Sequence, residues 1–151
     1  VVTTAAQITA AQGGTGQDTS AATGFATVSG GVWSVGAIAD TVQLQVSFES
    51  GYTGDFKITM PYAGTVTGIY AYAIKAISGS DNGTITHKNN AGTTMTSGTI
   101  TFTASDARGT AYTSTPTANN TFIAGDILTF TTAKTTSGGV VQLSISVTRT
   151  S

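Results

Sequence analysis

From residue 40 onward, apolar residues recur at every second position. Val42, Leu44, Val46 and Phe48 alternate with Thr41, Gln43, Gln45 and Ser47. Phe56, Ile58 and Met60 alternate with Asp55, Lys57 and Thr59, and Val141, Leu143, Ile145 and Val147 with Gln142, Ser144, Ser146 and Thr148. Side chains along a strand point alternately to its two faces, so each stretch spells a strand with one dry face and one wet face. Composition pushes the same way. Thr, Ser, Gly and Ala fill more than half of the chain, while long helix formers such as Leu, Glu and Lys are rare. About eight strands, with turn signals at roughly regular spacing, predict an all-β fold: an antiparallel, jelly-roll-like β-sandwich.

The longest apolar run follows the turn Pro61-Tyr62-Ala63-Gly64. Read as an uninterrupted strand, it puts Val66, Tyr70, Tyr72 and Ile74 on one face and Ile69, Ala71 and Ala73 on the other. Both faces are then apolar or small. That predicts a central strand covered on each side, or one whose outer face meets another copy of the chain. Tyr70 and Tyr72 are accordingly expected in the core. Gly51-Tyr52-Thr53-Gly54, residues 78–83, Asn89-Asn90-Ala91-Gly92 and Ser137-Gly138-Gly139 read as turns. Residues 84–87 resume a strand, and residues 93–104 form a Thr-rich one with Ile100 and Phe102 pointing one way. Residues 122–130 read as a strand end, a Gly-Asp kink and another strand. Residues 105–120 make a polar excursion holding Pro116, longer than a usual connection and therefore a candidate working loop.

The first 39 residues look different. Residues 1–9 read as a short strand, and Gly13-Gly14-Thr15-Gly16-Gln17-Asp18-Thr19-Ser20 is polar and turn-forming. Two short apolar strands, residues 24–28 and 32–38, flank the tight-turn signal Ser29-Gly30-Gly31. Nothing here can close a core alone. The expected organisation is an extended connector over residues 1–39 and a sandwich domain over residues 40–151. The first residue is Val1, which reads as a processed end or a cut from something longer.

Bulk numbers remove several function classes. There are 6 Lys+Arg against 7 Asp+Glu, a net charge of −1, and 9% charged residues where an average domain has roughly 25%. Lys57, Lys75, Lys88, Arg108, Lys134 and Arg149 are scattered singly, so nucleic acid is set aside as a partner. No apolar run approaches the ~20 residues of a membrane span, so no membrane insertion is expected. The absence of cysteine excludes a disulfide scaffold and a thiolate metal site.

The search for chemistry is nearly empty, and no catalytic residue, cofactor or metal is expected. His87 is the sole histidine and reads as a strand-face residue without chemistry. One imidazole per chain could meet its copies on a threefold axis and hold a metal, but paired-ligand spacing is lacking. Asp18, Asp40, Glu49, Asp55, Asp81, Asp106 and Asp126 stand alone, without the facing pair a glycosidase needs. Asp40, Asp55, Asp81 and Asp126 sit at strand or turn boundaries, where carboxylates cap backbone amides. Gly13-Gly14-Thr15-Gly16 lacks the Lys-Ser/Thr ending of a phosphate loop. Asn82-Gly83-Thr84 and Asn119-Asn120-Thr121 match the glycosylation triplet, as chance allows in so Thr-rich a chain. Tyr52, Tyr62, Tyr70, Tyr72 and Tyr112 suit saccharide stacking or an oligomer interface. Tyr112, in the polar excursion with Arg108, Asp106 and Asn119, is the candidate for touching a ligand.

Two stretches carry a resemblance. Residues 12–20, followed by Thr23-Gly24-Phe25 and Ser29-Gly30-Gly31-Val32-Trp33-Ser34, resemble the Gly-Gly-Thr-Gly segment of tail-fibre and other fibre proteins of tailed bacteriophages. Residues 56–66, 122–128 and 141–147 resemble phage β-sandwich tip and decoration domains, which share a Pro-x-Ala-Gly-Thr-Val turn and an Ala-Gly-Asp kink. Lys88-Asn89-Asn90-Ala91-Gly92 stands where many such proteins have Lys-Asn-Gly. The resemblance implies a homotrimeric virion structural protein that is not an enzyme and lies on the surface of the particle. Its partners would be its own copies, other proteins of the capsid or tail, and a host surface glycan or protein. A fibre tip that binds a host receptor is the first expectation, a capsid decoration or head-fibre protein the second, and a polysaccharide depolymerase the third.

Overall fold

The computed structural model describes residues 25–29, 32–49 and 54–150. Two units separate by their contacts, and Ala39–Arg149 is the larger. In the smaller, β1 (Phe25–Ser29) and β2 (Val32–Gly36) pair antiparallel, from Phe25 opposite Gly36 to Ser29 opposite Val32. Gly30 and Gly31 of the turn expected between these strands lie outside the described residues. The strand expected over residues 1–9, the Gly-rich turn of residues 13–20, and Gly51-Tyr52-Thr53 lie outside the described residues.

Among the described residues the larger unit holds nine strands and no helix. They are β3 (Ala39–Ser47), β4 (Asp55–Thr59), β5 (Gly64–Lys75), β6 (Gly83–Lys88), β7 (Thr94–Phe102), β8 (Ala111–Ser114), β9 (Thr121–Phe122), β10 (Ile127–Ala133) and β11 (Val140–Arg149). One sheet runs β3-β11-β5-β8, with β9 also on β5, and the other runs β4-β10-β6-β7. All pairs are antiparallel. With β9 set aside, consecutive strands of the first half are divided between the sheets and each is joined by a late strand, the arrangement of a jelly roll. The expected fold class is therefore the observed one.

The period-two pattern does what the sequence requires. Val46, Phe48, Val141, Leu143, Ile145 and Val147 from one sheet meet Ile85, Ile100, Phe102, Leu128 and Phe130 from the other, all at most 3% exposed. Fully burying each such side chain stabilises the fold by roughly 1.5–3 kcal/mol. Phe48 needs room on the facing strand. A Cβ on Gly83 would stand 2.8 Å from its ring, so only glycine fits at the start of β6. Asp126 caps a backbone amide as expected, accepting the Ile123 N–H at 2.9 Å, whereas the Asp55 carboxylate accepts the Thr131 hydroxyl of the neighbouring strand at 2.7 Å.

Three expectations need correction. The first concerns β5, which is central as expected but not apolar on both faces. Gly68 pairs with Ser146 and Val66 with Val147, leaving Thr67 as an extra residue in a β-bulge. One inserted residue moves Val66 onto the face of Ile69, Ala71 and Ala73, all buried, and a second register shift leaves Ile74 half-buried at the far end, while the tyrosines stand on the other side. Tyr70 is 52% exposed and Tyr72 44%, so neither is a core residue.

The second concerns residues 105–120, which are not one open loop. Residues 111–114 form β8, hydrogen-bonded along β5 from Ile69 opposite Ser114 to Tyr72 opposite Ala111. Pro116 is buried and Asn120 donates to the Val66 carbonyl at 2.8 Å, which lashes the following segment to the same strand. The third is the alternative in which His87 meets its copies at a metal, while its place on a strand face is as expected. His87 lies on the inner face of β6, is 0% exposed, and stands edge-on to Phe130 with centroids 5.0 Å apart. Imidazoles sealed in separate cores cannot meet on a threefold axis to share a metal.

Candidate functional site

The turn that follows β7 gathers two of the four residues expected to touch a ligand. Asp106 closes it by accepting the Thr103 N–H at 2.8 Å and the Thr103 hydroxyl at 2.7 Å. The Tyr112 hydroxyl donates to the same carboxylate at 3.0 Å. Desolvation pushes the Asp106 pKa up, but these hydrogen bonds outweigh it and hold the carboxyl below its ordinary value. The Tyr112 pKa is raised, because its hydroxyl is bound to that anion. Its ring is half-buried and stands edge-on to Phe102, with centroids 4.9 Å apart and planes at 90°. Tyr112 is therefore a strut between strand and turn, with only part of its ring offered to solvent.

Arg108 projects from the adjoining tip and is exposed, with no ion pair among the described residues. The tip is rigid at its base, where Gly109 N–H donates to the Ala73 carbonyl at 2.8 Å and Ile77 N–H to the Asp106 carbonyl at 2.9 Å. Asn119 is held elsewhere. Its backbone adopts φ +57°, a left-handed conformation that Asn tolerates, and its amide donates to the Thr94 carbonyl at 3.3 Å on β7. It forms no hydrogen bond with the other three.

Other polar side chains hold the sandwich together. Asp81 accepts Thr135 N–H at 2.6 Å and Thr136 N–H at 3.0 Å, and pairs with Lys134 Nζ at 3.0 Å, whose side chain is wholly buried. Hydrogen bonds from the Thr136 hydroxyl, the Thr135 amide and Lys134 hold the Asp81 carboxyl far below its usual range. At the opposite end Asp40 binds Arg149 at 2.7 Å and the Tyr62 hydroxyl at 2.9 Å, while the guanidinium lies 3.9 Å above the Tyr62 ring. Arg149, then Tyr62 and the Thr41 amide, bring the Asp40 pKa down to about 2. The imidazole of His87 donates Nδ1–H to the Gly98 carbonyl, and its Nε2 is buried without a partner. Burial lowers its pKa to about 4. Among the described residues no three His, Asp or Glu side chains cluster as a metal site would require.

The outward face of the β3-β11-β5-β8 sheet was not anticipated from the sequence. Across its middle, Gln45 pairs with Gln142 and Gln142 with Tyr72, while Gln43 pairs with Ser144 and Ser144 with Tyr70. No charged residue stands in these rows, and the Lys75–Glu49 pair, at 2.6 Å, lies at their end. The signal that could have revealed this face is Gly68, since a glycine inside a strand often marks a bulge.

No protein-family model matches the chain, and no curated protein is similar to it in sequence. Its fold is similar to that of a chain in the capsid asymmetric unit of cyanophage Pam1. That match has a TM-score of 0.50 and 13% identity, and covers 86% of this chain and 96% of that one. Matches of lower TM-score include a subunit of Bacillus endospore appendages, described as disulfide-linked pili (0.39, 16% identity, 76% and 88% covered). Another is a chain of the virus-like particle of extra small virus of the giant freshwater prawn Macrobrachium rosenbergii (0.36, 13% identity, 78% and 82% covered). At such identities the likeness to the cyanophage chain defines a class of fold, the jelly-roll sandwich.

Proposed function

We propose that this chain is a structural protein of a virus particle, carried on the particle surface and without catalytic activity. The observation that carries the reading is the correspondence of fold along 96% of a chain from a cyanophage capsid. It agrees with the fibre and decoration resemblance of the sequence. The bonding of the acidic side chains supports a non-catalytic role. Asp40, Asp81 and Asp106 are committed to turns, hydroxyls and cations, and His87 is sealed away. A capsid decoration or head-fibre protein is the favoured form, packed as a homotrimer against other virion proteins. A fibre tip that binds a host surface glycan is the second reading, favoured by the exposed tyrosine pair on an uncharged face.

Immunogold microscopy of virus particles from the source culture, with antiserum to residues 39–149, tests the proposal. Gold on the shell is expected, and gold at fibre ends would favour the second reading. Particles that carry none would refute both. Light scattering at micromolar concentration should give three times the chain mass. Sugar release from host polysaccharide would overturn the non-catalytic reading.

A further inference from the structure

We infer that the outward face of the β3-β11-β5-β8 sheet is a platform for a neutral oligosaccharide, with Tyr70 and Tyr72 as its stacking rings. The inference deepens the glycan-receptor reading above and rests on it only for the source of the sugar. Tyr70 and Tyr72 lie two residues apart on one strand, so their Cα atoms are about 7 Å apart and their side chains leave the same face.

The pose of Tyr70 is built into the sheet. A Cβ placed on Gly68 would stand 3.2 Å from Tyr70 Cε2, 3.4 Å from its hydroxyl and 3.5 Å from Cζ. The outer edge of the ring therefore lies back over the glycine, along the strand, while half its surface stays exposed. A ring laid back on a sheet has fewer rotamers left to lose, so a ligand stacking on it bears less of that cost.

What surrounds the rings identifies the ligand. Ser144 and Gln142 flank them on β11 and Thr113 and Ala111 on β8, with Gln43 and Gln45 one strand further out, so the surroundings offer amide and hydroxyl groups but no charge. Among the described residues, the side chains of Gln43, Gln45, Gln142 and Ser144 make one hydrogen bond, a long one from Gln142 to the Leu143 carbonyl at 3.5 Å. An anionic ligand would meet no cation within these rows, and Lys75 at their end is already paired with Glu49. A second copy of the chain would bury these amides against amides in imposed register, and each one left unpaired costs about 1–3 kcal/mol. A neutral sugar suits both features. Its hydroxyls donate and accept from many directions, and its C–H faces lie on aromatic rings.

A glycan array bearing neutral hexose and N-acetylhexosamine oligosaccharides beside sulfated and uronic-acid ones tests the assignment. The wild-type chain should be retained on a subset of the neutral ligands and not on the acidic ones. Tyr70→Ala/Tyr72→Ala should lose roughly 5-fold or more in affinity, from about 0.5–1.5 kcal/mol per ring. Tyr70→Phe/Tyr72→Phe should stay within about 3-fold, since it keeps both faces. Gly68→Ala should unfold at the wild-type temperature or above it, yet bind more weakly, because its methyl lifts the Tyr70 ring. Three results would overturn the inference: no neutral ligand retained, affinity unchanged in the double alanine variant, or an oligomer that Tyr70→Ala breaks apart. Sugar binding by a protein that immunogold finds on no particle would instead refute the virion reading and leave the platform standing.

Discussion

His87 should make the stability of this protein fall with acid well before its carboxylates do. The imidazole is fully buried, its Nδ1–H is bound to the Gly98 carbonyl and its Nε2 faces no partner. Protonating Nε2 would therefore place a second, unpaired donor and a charge in the core. Burial lowers the pKa to about 4, against about 6.5 for the unfolded chain. Between those values the unfolded chain binds more protons than the folded one. Stability is thus full above the unfolded value and is lost as pH falls towards about 4. At about 1.4 kcal/mol per pH unit, the whole loss is on the order of 3 kcal/mol, a large share of the 5–15 kcal/mol typical of a domain.

Urea unfolding followed by circular dichroism, on wild type and His87→Leu at several values between about pH 7 and pH 4, isolates this term. Leu leaves the Gly98 carbonyl unpaired, a pH-independent cost of about 1–3 kcal/mol partly offset by apolar burial. The titrations of Asp40, Glu49, Asp81 and Asp106 are common to both proteins and cancel in the difference. Wild type should be the more stable protein at neutral pH, and its advantage should shrink by about 1.4 kcal/mol per pH unit below about 6.5. A difference that stays constant down to about pH 4 would refute the argument, because an imidazole that takes up its proton freely is not sealed in the core.

Phe48→Ala should cost about 3–5 kcal/mol and Leu143→Ala about 2–5 kcal/mol in urea unfolding, since both are 0% exposed and surrounded by the opposite sheet. Asp40 has its pKa brought down to about 2 by Arg149, Tyr62 and the Thr41 amide, so its contribution is present above about pH 4 and lost as pH falls towards 2. Asp40→Asn should accordingly flatten the decline of melting temperature in that window, and an unchanged decline would remove the cause. In a cell-adsorption assay, Arg108→Ala should weaken attachment without changing the melting temperature if the exposed tip touches a receptor. Tyr112→Ala should lower the melting temperature as well, because its ring braces Phe102 and its hydroxyl holds Asp106.

The strands were legible because burial of one face leaves a mark on every second residue. Val42 to Phe48 and Val141 to Val147 carry that mark without interruption, and both pair in the register it implies. A bulge leaves no comparable mark. The extra residue at Thr67 changes no composition, only the count, and the count decides which face Val66 shares. The short strand β8 escaped notice because it sends inward only Tyr112 and the small Ser114. Lys134 was equally opaque, since its partner Asp81 lies 53 residues away and only folding brings the two together. For the candidate site, the sequence could place Asp106, Arg108 and Tyr112 in one segment. It could not see that the hydroxyl of Tyr112 was already engaged, or that the open rings stand on the neighbouring strand.

The two outward faces of the sandwich differ in a way that folding does not require. Stability resides on the inner faces, where Phe48, Phe102, Phe130 and Leu143 are shielded from water. Either outer face could therefore carry any soluble mixture of side chains, and charges are the ordinary choice for keeping sheets apart in solution. The β4-β10-β6-β7 sheet follows that habit, with Asp55 and Lys57 exposed on its edge strand. The other sheet keeps the Lys75–Glu49 pair to one end of its outward face. Its middle rows hold glutamines, serine and two open tyrosines, and Gly68 leaves room for one ring to lie down. Each of those choices gives up charge or strand propensity and contributes nothing to the core. Their joint presence on one face is more economically explained by something that face must touch than by anything the fold must hold.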